Sequence, residues 1–193
     1  MHFRSFALLS VCLTCAFAFA QTGATKPAAF KVDDDFVQKQ FGSTCSMVEG
    51  MAPQTADMDG DGVEDLVLAA RCTNPMIDQA EHSFSVQDPY YTFFGYGDPK
   101  ITTSFVTDDP KNKGRVVLVI HGIGADAWHA DKPKAKFVLI NLDFKEVTVR
   151  KMLVKKKMVT AIYTKESGAE QMVAAIFWDG KKYKYQPMGS TLE

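Results

Sequence analysis

One short acidic loop carries the residues whose types and spacing could do chemistry. The segment 56–67 reads ADMDGDGVEDLV, in which four carboxylates recur at close intervals. They belong to Asp57, Asp59, Asp61 and Asp65. Ca²⁺ is a hard cation that takes about six to eight oxygen ligands, and the glycines at 60 and 62 permit the tight turn that would aim these carboxylates at one centre. The loop therefore predicts a calcium site.

Two neighbouring residues bear on this prediction. Val63 would add its backbone carbonyl to the ligands, whereas the spacing turns Glu64 away from the ion and into solvent. Without a cation, the clustered acids would repel one another strongly. An ordinary acidic Asp-Gly turn between two strands is the alternative. An EF-hand is disfavoured because Leu68 stands where that motif places a bidentate glutamate.

The pattern Asp-x-Asp-Gly-Asp-Gly-x-x-Asp-Leu-Val, which begins at Asp57, resembles the calcium loop of FG-GAP/VCBS repeats. These repeats occur in integrin α-subunit propellers and in many exported bacterial proteins. The resemblance implies a β-hairpin that holds Ca²⁺. The implied ligands are the side chains of Asp57, Asp59, Asp61 and Asp65 and the carbonyl of Val63. This chain has a single copy, whereas a propeller needs several blades. The chain as a whole, including its IFWDGKKYKY segment, also resembles small exported bacterial proteins without a known activity.

The first twenty residues predict a secretion signal. Arg4 precedes an apolar run from Phe6 to Phe19, and Ala18 and Ala20 are the small residues that signal peptidase favours. The run is shorter than the ~20 residues that span a bilayer, although an uncleaved anchor is the alternative. We expect cleavage after Ala20, a periplasmic or secreted location, and no membrane span in the mature chain.

Two cysteines, Cys45 and Cys72, remain after this signal is removed. An even pair in an oxidising compartment favours a disulfide, here one that brackets the acidic loop. Two buried, reduced thiols are the alternative. Their separation is not the Cys-x-x-Cys spacing that points to a metal site.

The elements that must position the loop are mostly strands. Short alternating or fully apolar runs recur along the chain, which predicts a mainly β, α+β fold. The expected strands lie around Cys45–Met51 and at Leu66–Ala70, Ile101–Val106, Arg115–Ile120, Lys136–Leu142, Glu146–Val154, Met158–Thr164 and Gln171–Trp178. We expect an antiparallel meander of these strands with one or two short helices. A flexible linker over residues 21–30 would precede a single domain over 31–193.

Three local signals refine this expectation. Asp33–Asp35 can begin a short helix that carries Phe36, Val37 and Phe41 and ends at Gly42. The aromatic segment His82–Tyr96 predicts a strand at a sheet core, with ligand binding as the alternative. Asp179–Gly180, between AAIFW and KKYKY, predicts a hairpin with a two-residue turn.

Charge is distributed unevenly along a chain whose net charge is −1. Residues 33–109 hold fifteen acids against three bases, and residues 132–193 hold thirteen bases against six acids. The near-neutral total argues against nucleic-acid binding. The basic run Lys155, Lys156 and Lys157 predicts a face for an anionic cell-envelope polymer or protein. Mutual neutralisation of the two halves is the alternative.

The segment RVVLVIHGIGADAW, residues 115–128, resembles the first core strand and the His-Gly oxyanion loop of α/β-hydrolases. That chemistry requires a serine in a Gly-x-Ser-x-Gly turn and a later histidine, and the chain has neither. The predicted function is therefore an exported, calcium-binding, non-enzymatic β-rich protein that acts as an envelope or extracellular binding module. A hydrolase with an unrecognised site near His121 and His129 is the alternative.

Overall fold

The fold is built from two β-sheets. The computed structural model describes residues 30–95, 113–166 and 172–190, so the predicted signal peptide and nearly all of the predicted linker lie outside the described residues. The first sheet contains β1 (Cys45–Met47), β2 (Gln54–Ala56), β3 (Asp65–Cys72), β4 (Ser85–Gln87), β5 (Arg115–His121) and β6 (Ala135–Leu139). The second contains β7 (Glu146–Val154), β8 (Lys157–Lys165), β9 (Met172–Trp178) and β10 (Tyr183–Ser190).

Three short helices accompany these strands in the described part of the chain. They are α1 (Asp34–Phe41), α2 (Pro75–Asp78) and α3 (Pro89–Phe94), and a 3₁₀ turn covers Gly124–Asp126. The mainly β class that the sequence predicts is confirmed, with one helix more than expected. No helix among the described residues has the length and apolar character needed to cross a membrane.

Strand order matches a simple meander only in the second sheet. There β7, β8, β9 and β10 pair antiparallel in sequence order. The first sheet has the order β1-β3-β5-β6-β4, with β2 also paired to β3. Strand β4 runs parallel to β6, because the segment that contains α2 carries the chain from β3 to the far edge of the sheet. The predicted antiparallel meander therefore has one parallel edge pair.

The core lies on both faces of the first sheet. In β3, Leu66 and Leu68 belong to a cluster with α1, while Val67 and Ala69 belong to a second cluster that includes residues of the second sheet. Strand β5 alternates in the same way. Burial on both faces explains why these two strands read as continuous apolar runs in the sequence.

Helix α1 forms where the sequence predicts it. The side chain of Asp33 accepts a hydrogen bond from the backbone N–H of Phe36 at 3.0 Å, which caps the helix. Gly42 ends it with a φ of 95°, a backbone angle that glycine tolerates best. Its apolar residues Phe36, Val37 and Phe41 are buried.

The aromatic segment does not form the long strand that its composition predicts. Only Ser85–Gln87 is a strand, and α3 follows, with Pro89 in its first turn and Asp88 as its cap. The carboxylate of Asp88 accepts from the N–H of Tyr91 at 2.8 Å. Cap and proline together favour a helix start over a continued strand. Tyr96 and the predicted strand at Ile101–Val106 lie outside the described residues.

The hairpin between β9 and β10 is present, but its turn is longer than predicted. Trp178 pairs with Tyr183, so residues 179–182 form the turn, and the Asp179 carboxylate accepts from the N–H groups of Lys181 and Lys182. A two-residue turn occurs instead between β7 and β8, where Val154 pairs with Lys157.

The predicted disulfide between Cys45 and Cys72 is confirmed. The two cysteines are direct partners in the antiparallel pairing of β1 and β3, and their Cα atoms lie 4.1 Å apart. The acidic loop lies between them in sequence, so the bridge closes the segment that contains it.

Candidate metal site

The acidic loop connects two paired strands. Ala56, the last residue of β2, pairs with Asp65, the first residue of β3, so residues 57–64 form the connection of an antiparallel hairpin. Hydrogen bonds from backbone N–H groups to aspartate side chains make the loop compact. Asp57 accepts from the N–H groups of Gly60 at 2.7 Å and Gly62 at 3.0 Å, and both glycines have positive φ.

Three of the predicted ligands converge. Carboxylate oxygens of Asp57, Asp59 and Asp61 all lie within 4.8 Å of one another. The Asp59 side chain is only 5% exposed, so its charge is largely removed from water. Such a carboxylate needs a partner of opposite charge or several hydrogen bonds. Clustered hard oxygens are the donors that Ca²⁺ prefers, so the donor chemistry of this cluster fits that ion.

The fourth predicted carboxylate has a different set of partners. Asp65 is 1% exposed, and its two oxygens accept from the N–H groups of Met58 at 2.6 Å and Gly122 at 2.7 Å. Burial raises the pKa of Asp65 to about 6, although both backbone bonds favour the charged form. Asp65 therefore joins the base of the loop to the end of β5.

Lys134 is a partner of the cluster that the loop sequence does not reveal. Its Nζ lies 2.7 Å from Asp59 and 2.5 Å from Asp61. The hydrogen bonds that Lys134 donates to the two carboxylates raise the pKa of Lys134, and the same interaction lowers the pKa of Asp61. The ammonium thus supplies positive charge at two of the carboxylates where the sequence predicts a metal ion.

A buried histidine connects the cluster to the second sheet. His121 is 1% exposed, with Nδ1 3.3 Å from Asp59 and Nε2 2.7 Å from the hydroxyl of Tyr183. Burial lowers the pKa of His121, although Asp59 opposes this shift, and burial raises the pKa of Tyr183. If the tyrosine hydroxyl donates to Nε2, the ring proton of a neutral His121 is on Nδ1, the nitrogen that faces Asp59.

The remaining predicted residues have separate positions. Glu64 is exposed as expected, yet its carboxylate accepts from Thr55 at 2.9 Å and from the indole of Trp128 at 3.1 Å. The N–H of Val63 donates to Asp61 at 2.9 Å, and a ligand role for its carbonyl stays a prediction. His129 stacks on Trp128 with ring centroids 3.7 Å apart. Both nitrogens of His121 are engaged, as described above.

The basic run lies at a turn of the second sheet. Lys155 and Lys156 occupy the two turn positions between β7 and β8, and Lys157 begins β8. All three side chains are exposed. Among the described residues, none of the three forms an ion pair within 4.0 Å, so the described acids do not neutralise them by direct contact.

Sequence spacing could reveal the three clustered aspartates, because they lie within five consecutive residues. It could not reveal Lys134, which precedes β6, or Tyr183 in β10, since both lie far from the loop in sequence. Comparison of the chain with family models, with curated proteins and with solved structures gave no match. A functional assignment therefore depends on the geometry of this site.

Proposed function

We propose that the acidic loop binds one Ca²⁺ ion, with Asp57, Asp59 and Asp61 as carboxylate ligands. The observation that carries the proposal is the convergence of their oxygens within 4.8 Å in a hairpin loop. The resemblance to the FG-GAP/VCBS loop supports the same ion, with the carbonyl of Val63 and the carboxylate of Asp65 as further ligands. Water would complete the shell of oxygens.

The ion has a structural role in this proposal. The loop contacts both sheets: the hydroxyl of Thr160 in β8 donates to the carbonyl of Asp57, and His121 connects Asp59 to Tyr183 in β10. An ion that draws the carboxylates together would relieve their repulsion and hold both contacts in place.

No catalytic role is proposed for the site. A general base must reach the proton of a substrate, and His121 is buried with both ring nitrogens engaged. His129 is stacked on an indole ring instead. These contacts favour a non-enzymatic protein over the hydrolase alternative. An exported protein, as the N-terminal sequence predicts, would meet Ca²⁺ at concentrations that suit a Kd on the order of 10⁻⁴–10⁻³ M.

Calorimetric titration of the full chain with CaCl₂ tests the proposal. We expect one ion per chain and loss of binding in the double variant Asp57→Asn/Asp61→Asn, because each amide removes a negative charge from the cluster. The matched control is Asp126→Asn/Asp131→Asn, which changes two exposed acids outside the loop. Binding that is equal in both double variants would overturn the proposal.

We also propose that the exposed run Lys155–Lys157 contacts an anionic partner. Support comes from its exposure at a turn and from the lack of ion-pair partners for it among the described residues. Dextran sulfate is a suitable probe. Its binding should weaken in Lys155→Asn/Lys157→Gln and as salt rises, because exposed charges are screened beyond ~8 Å at physiological ionic strength. Binding that is unchanged by both would show that these lysines contact only solvent.

A further inference from the structure

A groove opens beside the acidic loop and runs along the two hairpins of the second sheet. It encloses a volume of about 840 Å³, within the ~300–1,000 Å³ typical of small-molecule sites. Much of its wall is apolar. The apolar members include Phe93, Val154, Met158, Val159, Phe177 and Trp178. Phe93 and Met158 are 49% and 57% exposed, so the wall leaves large apolar side chains in contact with water.

The acids that line this groove have nearby lysines, whereas two of its lysines have no ion-pair partner among the described residues. Its acids Asp59 and Asp179 lie near Lys134 and Lys184, at 2.7 and 3.7 Å respectively. Lys155 and Lys157 also line the groove, and among the described residues they have no ion-pair partner. For the part of the chain that the structure describes, the positive charge of the groove without an ion-pair partner therefore lies at the β7–β8 turn.

The backbone of this turn is unfavourable for lysine. Lys155 and Lys156 have φ values of +46° and +70°, angles that two-residue hairpin turns require and that asparagine and glycine adopt far more readily. Left-handed backbone is sterically unfavourable for other residues. Strained positions of this kind cluster at functional sites, and Lys155 is the one of the two that lines the groove.

We infer that the groove binds a single-chain amphiphilic carboxylate, a fatty acid, with its acyl chain against the apolar wall and its carboxylate at Lys155 and Lys157. This inference rests on the proposed anion contact at the turn and adds the chemical class of the ligand. A purely polar polyanion would leave the apolar wall in water, and an amphiphilic cation would meet two unpaired ammonium groups. Only an anion with an apolar chain satisfies both parts of the groove.

The length of the acyl chain provides the first test. Binding of decanoate and dodecanoate to the full chain is measured by calorimetry in a buffer with chelator, so that the result does not depend on the calcium proposal. Each buried CH₂ contributes about 0.8 kcal/mol, which corresponds to about a fourfold change in Kd. We expect dodecanoate to bind roughly tenfold or more tightly than decanoate, at one molecule per chain. Equal affinities would overturn the inference.

Variants of exposed residues test the two ends of the groove without disturbing the core. Lys155→Asn/Lys157→Gln should weaken dodecanoate binding at least about fivefold, whereas Lys181→Gln/Lys182→Gln, with the same loss of charge outside the groove, should change it less than about twofold. Met158→Gln should weaken binding roughly threefold to tenfold. The control for Met158→Gln is Ile77→Gln, which changes an exposed apolar residue that does not line the groove.

The possible results separate this inference from the anion contact on which it rests. Dextran sulfate binding that needs Lys155 and Lys157, with no effect of acyl-chain length, would keep the anion contact and overturn the fatty-acid site. Chain-length dependence without any effect of the lysine variant on dodecanoate binding would overturn the fatty-acid site, and the anion contact would fall as well only if dextran sulfate binding were also unchanged. Binding of dodecyltrimethylammonium as tight as that of dodecanoate would also contradict the inference, because that cation has the same chain and the opposite charge.

Discussion

Asp65 shows how the fold can use a residue differently from its place in a motif. The loop pattern predicts a calcium ligand, whereas both of its oxygens accept backbone N–H groups from Met58 and Gly122. A carboxylate oxygen has a second lone pair, so this arrangement leaves room for a metal bond. Its structural role, however, does not require an ion.

Replacing Asp65 should therefore destabilise the protein with or without calcium. In Asp65→Ala, two buried N–H groups lose their acceptor, which costs on the order of 3 kcal/mol of the free energy of unfolding. Urea denaturation in calcium and in chelator measures the loss. A loss confined to the calcium buffer would mean that Asp65 acts only as a ligand.

Replacing Lys134 should lower stability in chelator but increase the affinity for calcium. Its ammonium neutralises Asp59 and Asp61, so in chelator Lys134→Met should lower stability because the acids then repel one another. In calcium the same variant should bind the ion more tightly, by roughly threefold to tenfold, because a competing cation is gone. Calorimetry and urea denaturation measure the two effects. Weaker calcium binding in Lys134→Met would contradict the placement of the ion.

At the scale of elements, the two helix caps Asp33 and Asp88 have pKa values shifted in opposite directions. The N–H of Phe36 and the side chain of Lys31 lower the pKa of Asp33, and burial raises that of Asp88. A carboxyl whose pKa is lowered on folding stabilises the fold at pH values above 3.8, the ordinary pKa of aspartate. This stabilisation is lost as the pH falls. A carboxyl whose pKa is raised on folding stabilises the fold at pH values below 3.8, and this stabilisation is lost as the pH rises.

Asparagine variants of these caps should therefore respond oppositely to pH. The stability difference between wild type and Asp33→Asn should grow from pH 3.5 to pH 7. The difference between wild type and Asp88→Asn should shrink or reverse over the same range. Each variant controls for the other, because asparagine caps a helix about as well as aspartate does. Urea midpoints at both pH values give the result, and parallel trends would contradict the assigned shifts.

The β7–β8 turn offers a stabilising substitution. Lys155→Asn/Lys156→Gly places preferred residues at the two positions of positive φ, and should raise the free energy of unfolding by about 1–2 kcal/mol. Thermal unfolding measures the change. The control is Lys181→Asn/Lys182→Gly in the longer β9–β10 turn, where neither residue has positive φ, and we expect no gain there.

Local signals predicted the elements that local interactions determine. Asp33 and Gly42 bound α1 as expected, and Glu146–Val154 is a strand with the predicted ends. The prediction of a strand for the aromatic segment was wrong, because composition favoured a strand while Asp88 and Pro89 favoured the start of a helix. The order of strands in the first sheet and its parallel pair depend on contacts between distant segments, which periodicity does not encode.

On the scale of the whole molecule, the acidic loop lies among contacts that connect the two sheets. Thr160 and Tyr183 reach it from the second sheet, directly or through His121. Nearby, the side-chain amide of Gln54 in β2 donates a hydrogen bond to the carbonyl of Val147 in β7 and accepts one from the N–H of Val149. The sequence indicated the three converging aspartates, whereas these connections arise only in the folded chain. The proposed ion would therefore stabilise the packing of one sheet on the other.

The most direct test of this account is the free energy of unfolding as a function of calcium concentration. Binding to the folded state alone must raise stability, by about 2.7 kcal/mol at a hundredfold excess of Ca²⁺ over its Kd. Mg²⁺ should substitute poorly because it requires a smaller octahedral site. We predict that wild-type unfolding shifts with Ca²⁺, and that Asp57→Asn/Asp61→Asn does not respond. Superimposable wild-type unfolding curves in millimolar calcium and in chelator would contradict the account, and the loop would then be an acidic turn held by Lys134.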